Sequence, residues 1–299
     1  MTKPYSDIHH LASASVVVGV DGSPAAAAAV DWAADIAAHR RRTLRVVHGT
    51  SLEGLIRSYG RADSRVAPAL AAIRVQAAAL VEQAAQRVRA AHPAVRVTTQ
   101  VSESSPAKLL VDASAQAYQV ILGRGGAGFG STLAAVTAHA RGSVVAVDAI
   151  PEAGVRSGPV VVGIDGSPVS EAATAAAFEE AAERRAELVA VHIWNDLDLG
   201  WFEGVSEVAL PIASIGESQR DVLAERLAGW QEKYPDVKVS RRLYPSGPVA
   251  VLRQRSQGAQ LLVLGSRGRG GFLGMLLGST SNALVRQAHC PVMVVHPNG

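Results

Sequence analysis

A chain of 299 residues that is 48% hydrophobic is too long for one open α/β domain and fits two of ordinary size. Its net charge is only +3, with bases interspersed among acids and no basic stripe carrying aromatics, which argues against a nucleic-acid partner, and no uncharged apolar run approaches the ~20 residues of a membrane span. Cys290 is the only cysteine, which excludes a disulfide framework or a cysteine metal cage, and Met1 to Ala14 lacks a continuous apolar core, so the expected location is the cytoplasm.

The first apolar run, Val16 to Val20, predicts a strand, and it leads through Asp21-Gly22-Ser23-Pro24 into an alanine-rich helix, Ala25 to Ala38. Leu44 to His48 reads as a second strand and Gly49 to Arg65 as a variable loop. Val66, Leu70, Ile73, Leu80, Val81, Ala84 and Val88 then recur at helical spacing. Val95 to Val101 is a third strand, Pro106 to Ala117 a helix opened by proline, and Gln119 to Leu122 a fourth strand. A helix from about Thr132 to Arg141 leads to a fifth strand, Val144 to Val147.

The order then repeats. Val16 to Pro24 recurs as Val160 to Pro168, and the offset of 144 persists through pairs such as Arg40 with Arg184 and His48 with His192. In the second copy a long helix carries Leu223, Leu227, Trp230 and Tyr234 on one face, and Pro235 stops it. Domains are expected at 1–150 and 159–299, with 151–158 as a linker of Pro, Gly and Ser composition. The predicted fold class is α/β, with two tandem doubly wound domains, each a five-stranded parallel sheet with helices on both faces.

Ligands of such sheets bind beyond the carboxyl ends of the strands, where strand order reverses. After strand four of the second copy comes Gly265 to Ser279, with glycines at 265, 268, 270, 271, 274 and 278. A strand, a glycine loop and a helix start together suit a phosphate, because glycines let backbone amides approach and a helix N-terminus adds free N–H groups. Ser279 can cap that helix or donate to the anion. Arg267 and Arg269 lie inside the loop, where they either contact phosphates or are solvated. Asp165 and Asp21 end strand one. An aspartate there can accept from a ribose or an amino-bearing base, and Asp-Gly-Ser-Pro is also turn or cap chemistry; both roles are expected together. No second ligand lies at metal spacing from His48 or His192, so a packing or backbone role is expected for both. Arg184 and Arg185 complement a helix end, and Glu179-Glu180 is assigned to a solvated helix face. Gly123 to Gly128 fits a dinucleotide fingerprint with Asp148 as its acid, but it follows strand four rather than strand one, which argues against that reading.

Asp-Gly-Ser after strand one, with Gly-x-x-Gly, nine residues and Gly-Ser after strand four, resembles the universal stress protein family. Two copies in one chain look like its tandem actinobacterial members. The resemblance implies an ATP-binding fold, with Asp165, Gly166 and Val191 on the adenosine side. Gly265, Arg267, Gly268, Arg269, Gly278, Ser279 and Thr280 would then face ribose and phosphates. In the first copy it points to Asp21, Gly22, Val47, Gly123, Gly126, Gly130, Ser131 and Thr132. There the loop is six residues shorter, since Gly123 aligns with Gly265 at offset 142 but Gly130 with Gly278 at offset 148; weaker or altered nucleotide binding is expected. The family also implies a regulatory role in stress, dormancy or growth arrest, with slow ATP hydrolysis or cyclic AMP binding as alternatives. Mg²⁺ would arrive on the phosphates, with no dedicated protein cage. The apolar fifth strands predict edge pairing between copies or between chains, and hence a homodimer.

Overall fold

The computed structural model describes residues 13–61, 63–125, 130–148, 157–194, 212–269 and 276–297, with side chains omitted for 212–219. The chain forms two compact units that divide at Ile150 and Pro151.

The first unit runs β1 (Val16–Gly19), α1 (Pro24–His39), β2 (Leu44–Gly49), α2 (Glu53–Tyr59), α3 (Ala67–Ala91), β3 (Val97–Ser102), α4 (Pro106–Ser114), β4 (Gln119–Arg124), α5 (Ser131–His139) and β5 (Ser143–Asp148). Its strands are all parallel in the order β3-β2-β1-β4-β5. The order reverses between β1 and β4, which locates the ligand crevice. Helices α1 and α3 pack together on one face of the sheet, and α4 and α5 pack together on the other. With both faces covered, β1 reads as an unbroken Val-rich run: Val16, Val17 and Val18 have no exposed surface. α1 starts where it does because Pro24 fits its first turn and Ser23 Oγ accepts from the Ala26 amide at 3.1 Å.

The second unit repeats the plan with β6 (Val160–Ile164), α6 (Pro168–Glu183), β7 (Leu188–Ile193), α7 (Ile212–Lys233), β8 (Val239–Tyr244), α8 (Pro248–Arg255), β9 (Leu261–Gly265), α9 (Ser279–Gln287) and β10 (Val292–Val295). Its parallel order is β8-β7-β6-β9-β10. α7 buries Leu223 and Leu227, and its last turn reaches Phe178 of α6, whose ring stacks on Trp230 at 6.2 Å and Tyr234 at 5.8 Å. Among the described residues no helix is long and apolar enough to cross a membrane.

Two expectations need correction. The segment assigned to a variable loop contains α2, which buries none of its residues and so carries no apolar stripe. Glu180 is not solvated: it is 2% exposed, and it accepts from Arg184 Nε one turn later at 2.9 Å. Arg184 thus serves a buried carboxylate as well as the helix end.

Candidate functional site

In the second unit the site begins where β6 stops. Gly166 takes φ +83, a left-handed value that suits glycine, so the chain turns sharply into α6. Asp165 Oδ1 accepts from the Ser167 amide at 2.9 Å, and Ser167 Oγ caps α6 by accepting from the Ser170 amide at 3.2 Å. Asp165 is therefore the turn residue and Ser167 the cap. Ser170, buried within α6, accepts through Oγ from the Asp165 amide at 3.1 Å, a contact that nothing in the local sequence announces.

The other carboxylate oxygen of Asp165 reaches the glycine loop, where it accepts from the Arg269 amide at 2.9 Å. Gly268 makes this approach possible, because a Cβ built there would lie 2.4 Å from Asp165 Oδ2. The base of the loop is pinned: Gly278 N donates to Ser266 O at 2.7 Å, Ser266 N donates to Val295 O at 2.7 Å, and Ser281 Oγ donates to Gly265 O at 2.6 Å. This pinning makes Gly278 the N-cap of α9, which corrects the expectation for Ser279 as a cap. Ser279 and Thr280 instead occupy the first helical positions, and no side chain caps the first turn. Its amides thus keep the character of an anion site.

Asp165, Gly265, Gly268, Arg269, Gly278, Ser279 and Thr280 all converge at the carboxyl ends of β6 and β9. Arg267 is exposed on the same loop, and Arg269 Nη2 donates to Ile193 O at 3.4 Å. Val191 differs: it sits in β7 opposite Gly163 with no exposed surface. Gly270, Gly271 and Gly274 lie outside the described residues. Arg226 of α7 is an addition from the structure, since its guanidinium lies so close to Gly166 that an added Cβ would meet Nη1 at 1.6 Å. Sixty residues separate the two, so no local spacing announces the contact.

The first unit repeats the turn. Gly22 has φ +84, Asp21 Oδ1 accepts from Ser23 N at 2.9 Å, and Gly130 caps α5 without a side-chain bond. A cavity of about 250 Å³ opens beside Asp21, Val47, Gly123, Gly130, Ser131 and Thr132. Gly22 stands next to it in the turn, and Gly126 lies outside the described residues. Arg124 turns away from solvent, 5% exposed, and pairs with Asp148 through Nε at 2.7 Å. That pairing gives Asp148 a structural partner and removes the basis for a dinucleotide fingerprint. Both strand-two histidines have the expected backbone role: His48 Nδ1 meets Val20 O and His192 Nδ1 meets Ile164 O, each at 2.7 Å. Among the described residues no group of three metal-ligating side chains gathers.

The family model for the universal stress protein family matches residues 14–148 and again 157–296. The chain belongs to the universal stress protein family. A universal stress protein of Mycolicibacterium smegmatis is 41% identical over 298 residues, covering 94% of this chain and 97% of the relative. One from Mycobacterium tuberculosis is 40% identical over 300 residues, covering 93% and 96%. A solved universal stress protein from Archaeoglobus fulgidus, 19% identical with a TM-score of 0.69, covers 95% of this chain and 98% of its own and shows the shared fold. Both copies of the repeat are thus universal stress protein domains, and they differ in how their crevices are furnished.

Proposed function

We propose that this universal stress protein binds an adenine nucleotide at the crevice of the second unit, with ATP as the ligand, and acts as a nucleotide-dependent regulator in stress, dormancy or growth arrest. The observation that carries the reading is the convergence of Asp165, the glycine loop and the first turn of α9 at one strand-order reversal. Asp165 would take the ribose, and the loop amides with Ser279 and Thr280 would take the phosphates, with Mg²⁺ carried on the phosphates.

The same geometry supports regulation over turnover. Hydrolysis needs a group that orients water, and both oxygens of Asp165 already accept backbone amides, from Ser167 and from Arg269. A ribose hydroxyl donating to Oδ2 would compete with the Arg269 amide for that oxygen. The ligand then makes different contacts in two arrangements of the loop, which is what a population shift requires.

Calorimetric titration of ATP, ADP and cyclic AMP into the full chain tests the reading, beside Asp165→Ala and Gly278→Val. ATP should bind tightly at one site per chain and lose that site in both variants, with phosphate release at background in all three proteins. No binding by wild type, or equal binding by the variants, overturns the proposal; phosphate release that depends on Asp165 would make the protein an ATP hydrolase instead.

A further inference from the structure

The two crevices share one backbone plan but not one charge. At the second, the guanidinium of Arg226 lies against Gly166, and Arg267 and Arg269 stand on the loop. At the first, no lysine or arginine lines the cavity among the described residues. The residue facing Gly22 is Leu80 of α3, at 3.5 Å from an added Cβ, where α7 offers Arg226 to Gly166. The only cation of the short loop, Arg124, is committed to Asp148. One carboxylate, Asp21, therefore faces the first crevice with no opposing cation from the described wall.

Its hydrogen-bonding chemistry points the same way. A backbone carbonyl only accepts, so the Nδ1 of His48 that meets Val20 O must carry its proton. His48 lines the cavity, and in the neutral ring Nε2 keeps a lone pair with no partner among the described residues. Among the described residues, Asp21 accepts through Oδ1 in its turn and leaves Oδ2 to the crevice. Both groups accept hydrogen bonds when His48 is neutral, and the remaining wall combines the apolar Leu109, Leu110 and Leu122 with Ser131 and Thr132 at the start of α5. The α5 turn offers donors to a single anionic group, but a polyphosphate would bring several negative charges to a described wall that holds Asp21 and no lysine or arginine. A nucleoside brings hydroxyl and amino donors on an apolar ring system and suits it.

We infer that the first crevice is a nucleoside site, selective for adenosine without its phosphates, while the second takes the polyphosphate. This rests on the adenine-nucleotide reading of the fold, and it makes the protein a sensor of two ligands that differ only in phosphorylation.

The test is calorimetric titration of adenosine and ATP into the full chain and three variants. Asp21→Asn keeps the acceptor for the Ser23 amide but removes the charge, and should weaken adenosine about tenfold or more while leaving ATP unchanged. Asp165→Ala should lose ATP and keep adenosine. Gly125→Arg, which supplies the counterpart of Arg267, should tighten ATP at the first crevice about tenfold. Adenosine binding that depends on Asp165 and not on Asp21, or wild-type ATP filling two equal sites, overturns the inference. ATP binding without any adenosine binding overturns this inference alone, whereas no binding of either ligand overturns the nucleotide reading as well.

Discussion

Replacing Gly123 by alanine places a methyl group 2.5 Å from Ala25 C, 2.6 Å from Ala26 N and 2.7 Å from Ala25 O. Carbon atoms in contact sit about 3.5–4.0 Å apart, so roughly 1 Å must open. All three neighbours are backbone of the first turn of α1, which cannot rotate aside as a side chain would. Relief requires lifting α1 from β4, and Ala25 and Ala26 are buried in that first turn. The cost falls near the top of the overpacking range, about 3 kcal/mol, or about 6–12 °C in Tm for a unit of this size. The equivalent Gly265→Ala meets Arg267 O and Val169 Cγ1, each at 3.1 Å, and Val169 C at 3.3 Å, and a shift of tenths of an ångström relieves it; about 1 kcal/mol is expected. Scanning calorimetry of wild type and both variants, with the units' transitions fitted separately, reads the difference. A Gly123→Ala protein as stable as wild type, or a larger loss at Gly265, would refute this packing argument.

Three further outcomes follow from the contacts. Glu180→Gln leaves Arg184 facing a neutral partner in a buried setting and should cost about 3 kcal/mol in urea denaturation, whereas an unchanged midpoint would mean the pair contributes nothing. Ser167→Ala removes the cap of α6 and should cost about 1 kcal/mol by the same assay, with Ser167→Gly milder; equal loss in both would point away from capping. Hydrogen bonds from Arg61 and then Arg74 hold the Glu103 carboxyl below the ordinary carboxylate range, so its contribution is present above the unfolded value and lost as pH falls through the folded one. The stability gap between wild type and Glu103→Gln should therefore close below about pH 4 and shrink in roughly 1 M salt, and a gap that persists in acid would count against it.

The features legible in the sequence are those a local backbone demand imposes. Asp-Gly-Ser-Pro recurs because the same turn needs an amide acceptor, a residue at φ +84 or +83 and a capping hydroxyl. The buried strands show as valine runs for the same reason, since helices cover both faces. What escaped depends on residues distant in the chain or on burial without periodicity. Arg226 meets Gly166 only after α7 packs, and Arg124 meets Asp148 only because β4 and β5 pair in that register. α2 carries no apolar stripe because it buries nothing. Glu179 and Glu180 read alike as acids, yet only Glu180 has a full turn of helix bringing Arg184 alongside and a face turned inward. Gly278 rather than Ser279 caps α9 because its amide is drawn to Ser266 O, a contact across the whole loop.

Amide hydrogen exchange on the full chain, with and without saturating ATP, tests the central claim most directly. The account predicts slowed exchange at the turn after β6, around Gly166 and Ser167, and in the first turn of α9 from Ser279 to Asn282, with the opposite ends of the strands unchanged. ATP that binds while leaving both segments unprotected, or that protects residues away from these strand ends, would contradict it.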